Sequence, residues 1–166
     1  GEGPDRAGCI FCGECMQGCR TGAKNNLTKN YLWFAEKRGV QIHAERQVVD
    51  IRPIGADDGS DGYRVLTERT GAWFRRQPRE FRARGVVLAA GALGTNALLA
   101  QCKLGGSLPR ISDRLGQLVR TNSEALLTVI LPKGTKHVWN DVQISCSIHP
   151  KPDTHIEFNT IGRNAD

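Results

Sequence analysis

Four of the six cysteines, Cys9, Cys12, Cys15 and Cys19, fall within eleven residues as C-x2-C-x2-C-x3-C. Thiolates at such intervals can close around an iron–sulfur cluster or a soft metal ion. Disulfides between neighbours this close would strain a short loop. The spacing is that of the bacterial ferredoxin run, in which the fourth cysteine serves a second cluster. No second run exists here, and Arg20, not proline, follows Cys19. A tetrahedral zinc site separates two C-x2-C pairs by a longer loop. The spacing therefore favours iron–sulfur ligation, with zinc and a glycine-rich loop of reduced thiols left open. No basic, apolar and small-residue leader pattern marks the amino end, so the run reads as ligation in a reducing compartment.

A second concentration is basic. Arg75, Arg76, Arg79, Arg82 and Arg84 lie within ten residues, around Trp73, Phe74 and Phe81. The chain has 23 Lys and Arg against 17 Asp and Glu, a net charge of +6. That balance admits an anionic partner, and a basic nucleic-acid module is one alternative function. Arginines at alternate hairpin positions more simply solvate a face, so no nucleic acid is expected. Of the four histidines, His43, His137, His149 and His155, only His155 shares a strand face with a nearby acid, Glu157. No Ser-His-Asp or Cys-His arrangement follows from spacing, and no catalytic residue is assigned.

The elements that must position these groups follow from periodicity. Residues 1–23 are a glycine-rich loop. Leu27, Tyr31 and Ala35 then form an apolar helical stripe, widened by Leu32 and Phe34. Asn25 or Asn26 caps its start and Gly39 closes it. Val40–Ile42 is expected as a short strand. Strands over 46–54, from Tyr63, and over 79–85 are separated by the turn Ala56–Gly62 and by Thr70–Gly71, an antiparallel meander. The continuous apolar run Val86–Ala90 predicts a central strand buried on both faces. Gly91 turns it into a helix from about Leu93 to Cys102, a strand–glycine–helix unit that can present backbone N–H groups to a phosphate. Further strands are expected over 125–131, 137–148 and 154–160. No apolar run is long enough for a membrane span.

Several segments together resemble one family. CIFCGECMQGCRTGAKNNLTKNYLWFAEKRGVQI at 9–42, QVVDIRP at 47–53 and VVLAAGALGTNALL at 86–99 carry the resemblance. SLPRISDRLGQLVRTNSEAL at 107–126 and SIHPKPDTHIE at 147–157 extend it over nearly the whole chain. Their order and spacing are similar to the interior of glucose–methanol–choline (GMC) oxidoreductases, in the bacterial cholesterol-oxidase-like branch.

The resemblance implies an α/β fold, α+β within the fragment. Residues 1–124 would be part of an FAD-binding Rossmann-like domain bearing the meander. Residues 125–166 would open an antiparallel β substrate domain. The implied cofactor is FAD, held in part by Val48 on the adenine side, by Ala90, Gly91 and Gly94 in a turn beside the dinucleotide, and by Asn122 near the flavin. The implied reaction oxidises the CH–OH group of a sterol-like or otherwise bulky apolar alcohol by hydride transfer. Electrons would pass to oxygen or to an electron-transfer acceptor, and Cys9, Cys12, Cys15 and Cys19 could carry an iron–sulfur cluster, as in some relatives. An iron–sulfur electron-transfer protein is the alternative to this enzyme.

The family's amino-terminal G-x-G-x-x-G and its carboxy-terminal proton-handling pair are not in this sequence. The chain starts at Gly1, and its one methionine is Met16. It thus reads as an internal piece, cytoplasmic or peripheral to a membrane, expected to bind FAD weakly and to be inactive alone.

Overall fold

A computed structural model describes residues 3–120, 122–132, 134–135 and 141–160. In chain order the elements are a 3-10 turn at Leu27–Lys29, helix α1 (Tyr31–Lys37), strands β1 (Arg46–Pro53), β2 (Tyr63–Arg69) and β3 (Arg79–Ala83), helix α2 (Gly91–Leu104), and strands β4 (Ile144–Lys151) and β5 (Thr154–Asn159). They divide between two compact units, one of residues 43–125 and one that joins residues 1–42 to 126–166. No helix among the described residues is long and apolar enough to cross a membrane.

In the 43–125 unit the expected meander is present, with strand order β1-β2-β3 and antiparallel pairing throughout. Ile51, Val65 and Phe81 stand opposite one another across the three strands. The register shifts between Val48 and Asp50, the irregularity of a bulge at Val49. The turn entering β2 depends on Gly62. Its φ is 97°, and a Cβ there would lie 2.7 Å from the Ala83 carbonyl oxygen, so only glycine fits.

Helix α2 packs on β1. Leu98 and Cys102 bury themselves with Ile51, and Val48, Tyr63, Val65, Val86, Leu108 and Ile111 surround that core. Gln101 Nε2 donates to the Val49 carbonyl at 3.1 Å, and the Cys102 thiol approaches Asp50 Oδ1 at 3.5 Å. Burial pushes the Asp50 carboxyl up, but the Ser107 hydroxyl, Arg52 and the Cys102 thiol outweigh it and hold the group below its ordinary range.

In the other unit α1 is capped by Asn30, whose side-chain oxygen accepts from the Tyr31 N–H. Asn25 and Asn26 precede the 3-10 turn instead, and Gly39 closes the helix with φ 86° as expected. The apolar stripe of α1 is not covered among the described residues: Leu27 and Tyr31 stay exposed. Strands β4 and β5 form a hairpin in which Ile148 faces Ile156.

Several expected strands are absent. Val40–Ile42 is an exposed connection between the left-handed Gly39 and the turn at Ala44–Glu45, too short to pair. Val86–Ala90 is not a central strand: it has no ladder partner among the described residues, and Val87 is 92% exposed. Residues 125–131 likewise run as exposed chain with no ladder partner among the described residues. The strand expected over 137–148 begins at Ile144, with 136–140 outside the described residues. The third strand ends at Ala83. Apolar sequence specifies burial, but a strand also needs a partner for its backbone groups. Both sheets are antiparallel, so the described arrangement is α+β, and no parallel pair supports the α/β expectation.

Candidate functional site

The five residues implied as cofactor contacts, Val48, Ala90, Gly91, Gly94 and Asn122, all fall in the 43–125 unit. Val48 sits on the edge strand β1 opposite Thr67, half-buried against the Ile51–Leu98–Cys102 core. That core links β1 to α2, whose entry is formed by Ala90, Gly91 and Gly94. Asn122 is exposed and its amide donates to Glu124 Oε2 at 2.8 Å, so its side chain is engaged within its own loop.

The entry of α2 is open. No side chain caps it from Ala90, and its first turn holds no acid. The first backbone N–H groups of a helix have no intrahelical acceptor and carry the positive end of its dipole. Gly91 holds φ 73°, and a Cβ built on it meets nothing within 4 Å. Gly94 packs closely on the preceding turn, its Cβ position 3.2 Å from Ala90 Cβ. Thr95, a residue the motif reading passed over, fixes the turn by accepting from the Ala90 N–H at 3.1 Å through Oγ1. Uncapped donors beside an unobstructed glycine fit a diphosphate or a similar anionic group.

The cysteines lie in the other unit. Cys9, Cys12, Cys15 and Cys19 border one cavity of about 430 Å³, together with Lys24 and the segment Asp141–Ile144. Two side chains that spacing alone could not reveal build its wall. Gln143 is buried, takes the Met16 N–H on Oε1 and takes the Thr160 N–H on its backbone carbonyl. Lys24 Nζ donates to the Cys15 carbonyl at 2.8 Å. Their only sequence signal is composition: a lysine and an amide long enough to span a loop.

The sulfurs are held separately. Cys9 Sγ accepts from the Phe11 N–H at 3.4 Å, and Cys19 Sγ from the Lys24 N–H at 3.2 Å. The Thr21 hydroxyl at 3.3 Å and then the Lys24 N–H lower the Cys19 thiol to about 7. Among the described residues no three His, Cys, Asp or Glu side chains are gathered as a metal ion would require. The donor set does not fit a cluster here, and no step is routed through one.

Residues 4–118 match the family model described as GMC oxidoreductase, and the chain belongs to that family of FAD enzymes. It is 49% identical over 167 residues to a cholesterol oxidase of Acinetobacter baumannii, covering 100% of this chain and 30% of the relative. It is 46% identical over 169 residues to a cholesterol oxidase of Mycobacterium tuberculosis, again covering 100% of this chain and 28% of the relative. The chain thus spans under a third of the length of these curated relatives. No solved structure matches it.

Proposed function

We propose that this chain is part of an FAD-dependent oxidoreductase that oxidises the CH–OH group of a sterol-like alcohol. The observation that carries the reading is the similarity of the whole chain to cholesterol oxidases, at 46–49% identity. FAD, when bound, supplies the hydride acceptor.

The role of this chain's residues is to hold the cofactor. The open entry of α2 offers backbone donors at Gly91 and its neighbours, and Gly94 lets the turn lie close. Val48 lends the adenine side an edge strand, anchored to α2 by the shared core. Asn122 approaches the flavin once its amide is released from Glu124. No residue of this chain is assigned to take the substrate proton, and the chain alone is expected to bind FAD weakly and turn over no alcohol. The electron acceptor is oxygen or an electron-transfer partner.

Incubating the full-length polypeptide with a 3β-hydroxysterol and identifying the product by mass spectrometry tests the reading. A ketosteroid formed in proportion to bound FAD supports it. Oxidation of small polar alcohols only, with the sterol untouched, would replace the substrate class.

A further inference from the structure

The ladder between β1 and β2 fixes which backbone groups of β1 point away from β2. The Thr70 N–H donates to the Glu45 carbonyl at 3.0 Å. Antiparallel pairs alternate between bonded and unbonded, so Gln47 bonds Glu68 while Val48 faces Thr67 without bonding it. The N–H and the carbonyl of Val48 therefore both point away from β2, and β1 has no neighbour on that side among the described residues. From the other end of the strand, the Ile54 N–H donates to the Gly62 carbonyl at 2.9 Å. The same alternation turns the Ile51 N–H outward. Val49, the extra residue of the bulge, opposes no residue of β2.

Side chains occupy the groups that follow Val48. Asp50 Oδ1 takes the Ile51 N–H at 2.9 Å, and Gln101 Nε2 on α2 donates to the Val49 carbonyl at 3.1 Å. The next residue of α2, Cys102, turns its buried thiol to the same Asp50 oxygen at 3.5 Å. Two successive residues of one helix thus hold both sides of the bulge. The donor and acceptor left beside it are those of Val48. Side by side they match an adenine edge, where N1 accepts and the N6 amine donates. Hypoxanthine, with a ring N–H and a carbonyl in those places, reverses both.

We propose, resting on the FAD reading above, that Gln101 is a positioning residue for the adenine half of the cofactor. By holding the Val49 carbonyl it pins the bulge, and with it the direction of the Val48 N–H and carbonyl. It does so from α2, the helix whose entry would meet the diphosphate. Were the bulge to slip one residue toward Gln47, Val48 would itself become the extra residue and lose its outward donor and acceptor.

The test titrates the flavin-free full-length polypeptide with FAD and with its hypoxanthine analogue. Wild type should prefer FAD by about tenfold or more. Gln101→Leu, similar in size but without a donor, should weaken FAD roughly threefold to tenfold and narrow that preference. Gln101→Lys, which restores a donor of similar reach, should recover both. Equal weakening of the two cofactors by Gln101→Leu would be a merely structural effect and would overturn the proposal. So would wild-type FAD affinity in Gln101→Leu. A Val48 amide protected from hydrogen exchange in the flavin-free protein would overturn it too, since another part of the polypeptide would then pair with that edge. These results leave the FAD reading standing. A wild type that takes up no FAD overturns that reading, and this proposal with it.

Discussion

Replacing Gly91 or Gly94 by alanine separates the folding role of the α2 entry from its cofactor role. At Gly91 the backbone is left-handed, with φ 73° and open space around the added methyl. Alanine there costs strain alone, about 1–2 kcal/mol. Gly94 has no such strain. Alanine there gains about 1 kcal/mol of helix propensity, offset by a few tenths for the 3.2 Å approach to Ala90 Cβ. Without cofactor, then, Gly91→Ala should lower the unfolding temperature and Gly94→Ala should leave it unchanged or raise it. FAD affinity should fall in both. With the cofactor at this turn as proposed, the methyl of Gly94→Ala crowds Ala90 against it, and overpacking of about 1–3 kcal/mol weakens binding roughly 5- to 150-fold. In the full-length polypeptide, thermal unfolding of the apoprotein and FAD titration by flavin fluorescence read the two effects independently. A Gly94→Ala protein that is as stable as wild type and binds FAD equally well would refute the placement of the cofactor at this turn. A Gly91→Ala protein of undiminished stability would refute the strain argument.

Gly62→Ala should destabilise the 43–125 unit more than Gly71→Ala, because both are left-handed but only Gly62 meets a backbone oxygen. Hydrogen exchange of the β1–β2 amides compares them. Leu98→Ala should cost about 2–5 kcal/mol, since it empties one of the three buried positions of the core cluster, and a lowered melting temperature checks it. Alkylation of Cys19 should accelerate as pH rises through about 7, where its thiolate forms. Thr21→Val should move that rise to higher pH, followed by peptide mass spectrometry of the Cys19 adduct.

The meander was legible in the sequence because its information is local. Strand-forming residues at Tyr63 and Val65, with Gly and Asp turns between the strands, specify both strand and reversal without a distant partner, whereas the bulge at Val49, which brings Val48 to the core beside Ile51, has no local signal. Helix α2 was legible for a similar reason: Gly91 breaks the chain and Leu98, Leu99 and Cys102 supply one face. Val86–Ala90 was misread because continuous apolar residues encode burial, not the partner that provides it. Residues 125–131 repeat that error. In the cysteine loop, spacing counted four sulfurs but could not aim them. The N–H groups of Phe11 and Lys24 hold Cys9 and Cys19 by local hydrogen bonds. The helix cap fell on Asn30 rather than Asn25 or Asn26 because all three satisfy the same chemistry, and the intervening 3-10 turn decides among them.

The central claim is that this chain helps hold an FAD that a sterol-like alcohol can reduce. Anaerobic mixing of the full-length polypeptide, purified with its flavin, with a 3β-hydroxysterol tests it most directly. The account predicts that the oxidised flavin absorption bleaches on mixing, in proportion to bound FAD, and that Gly94→Ala loses flavin occupancy without losing its fold. A polypeptide that retains FAD but whose spectrum is unchanged by sterol, or one that binds no flavin at all, would contradict it.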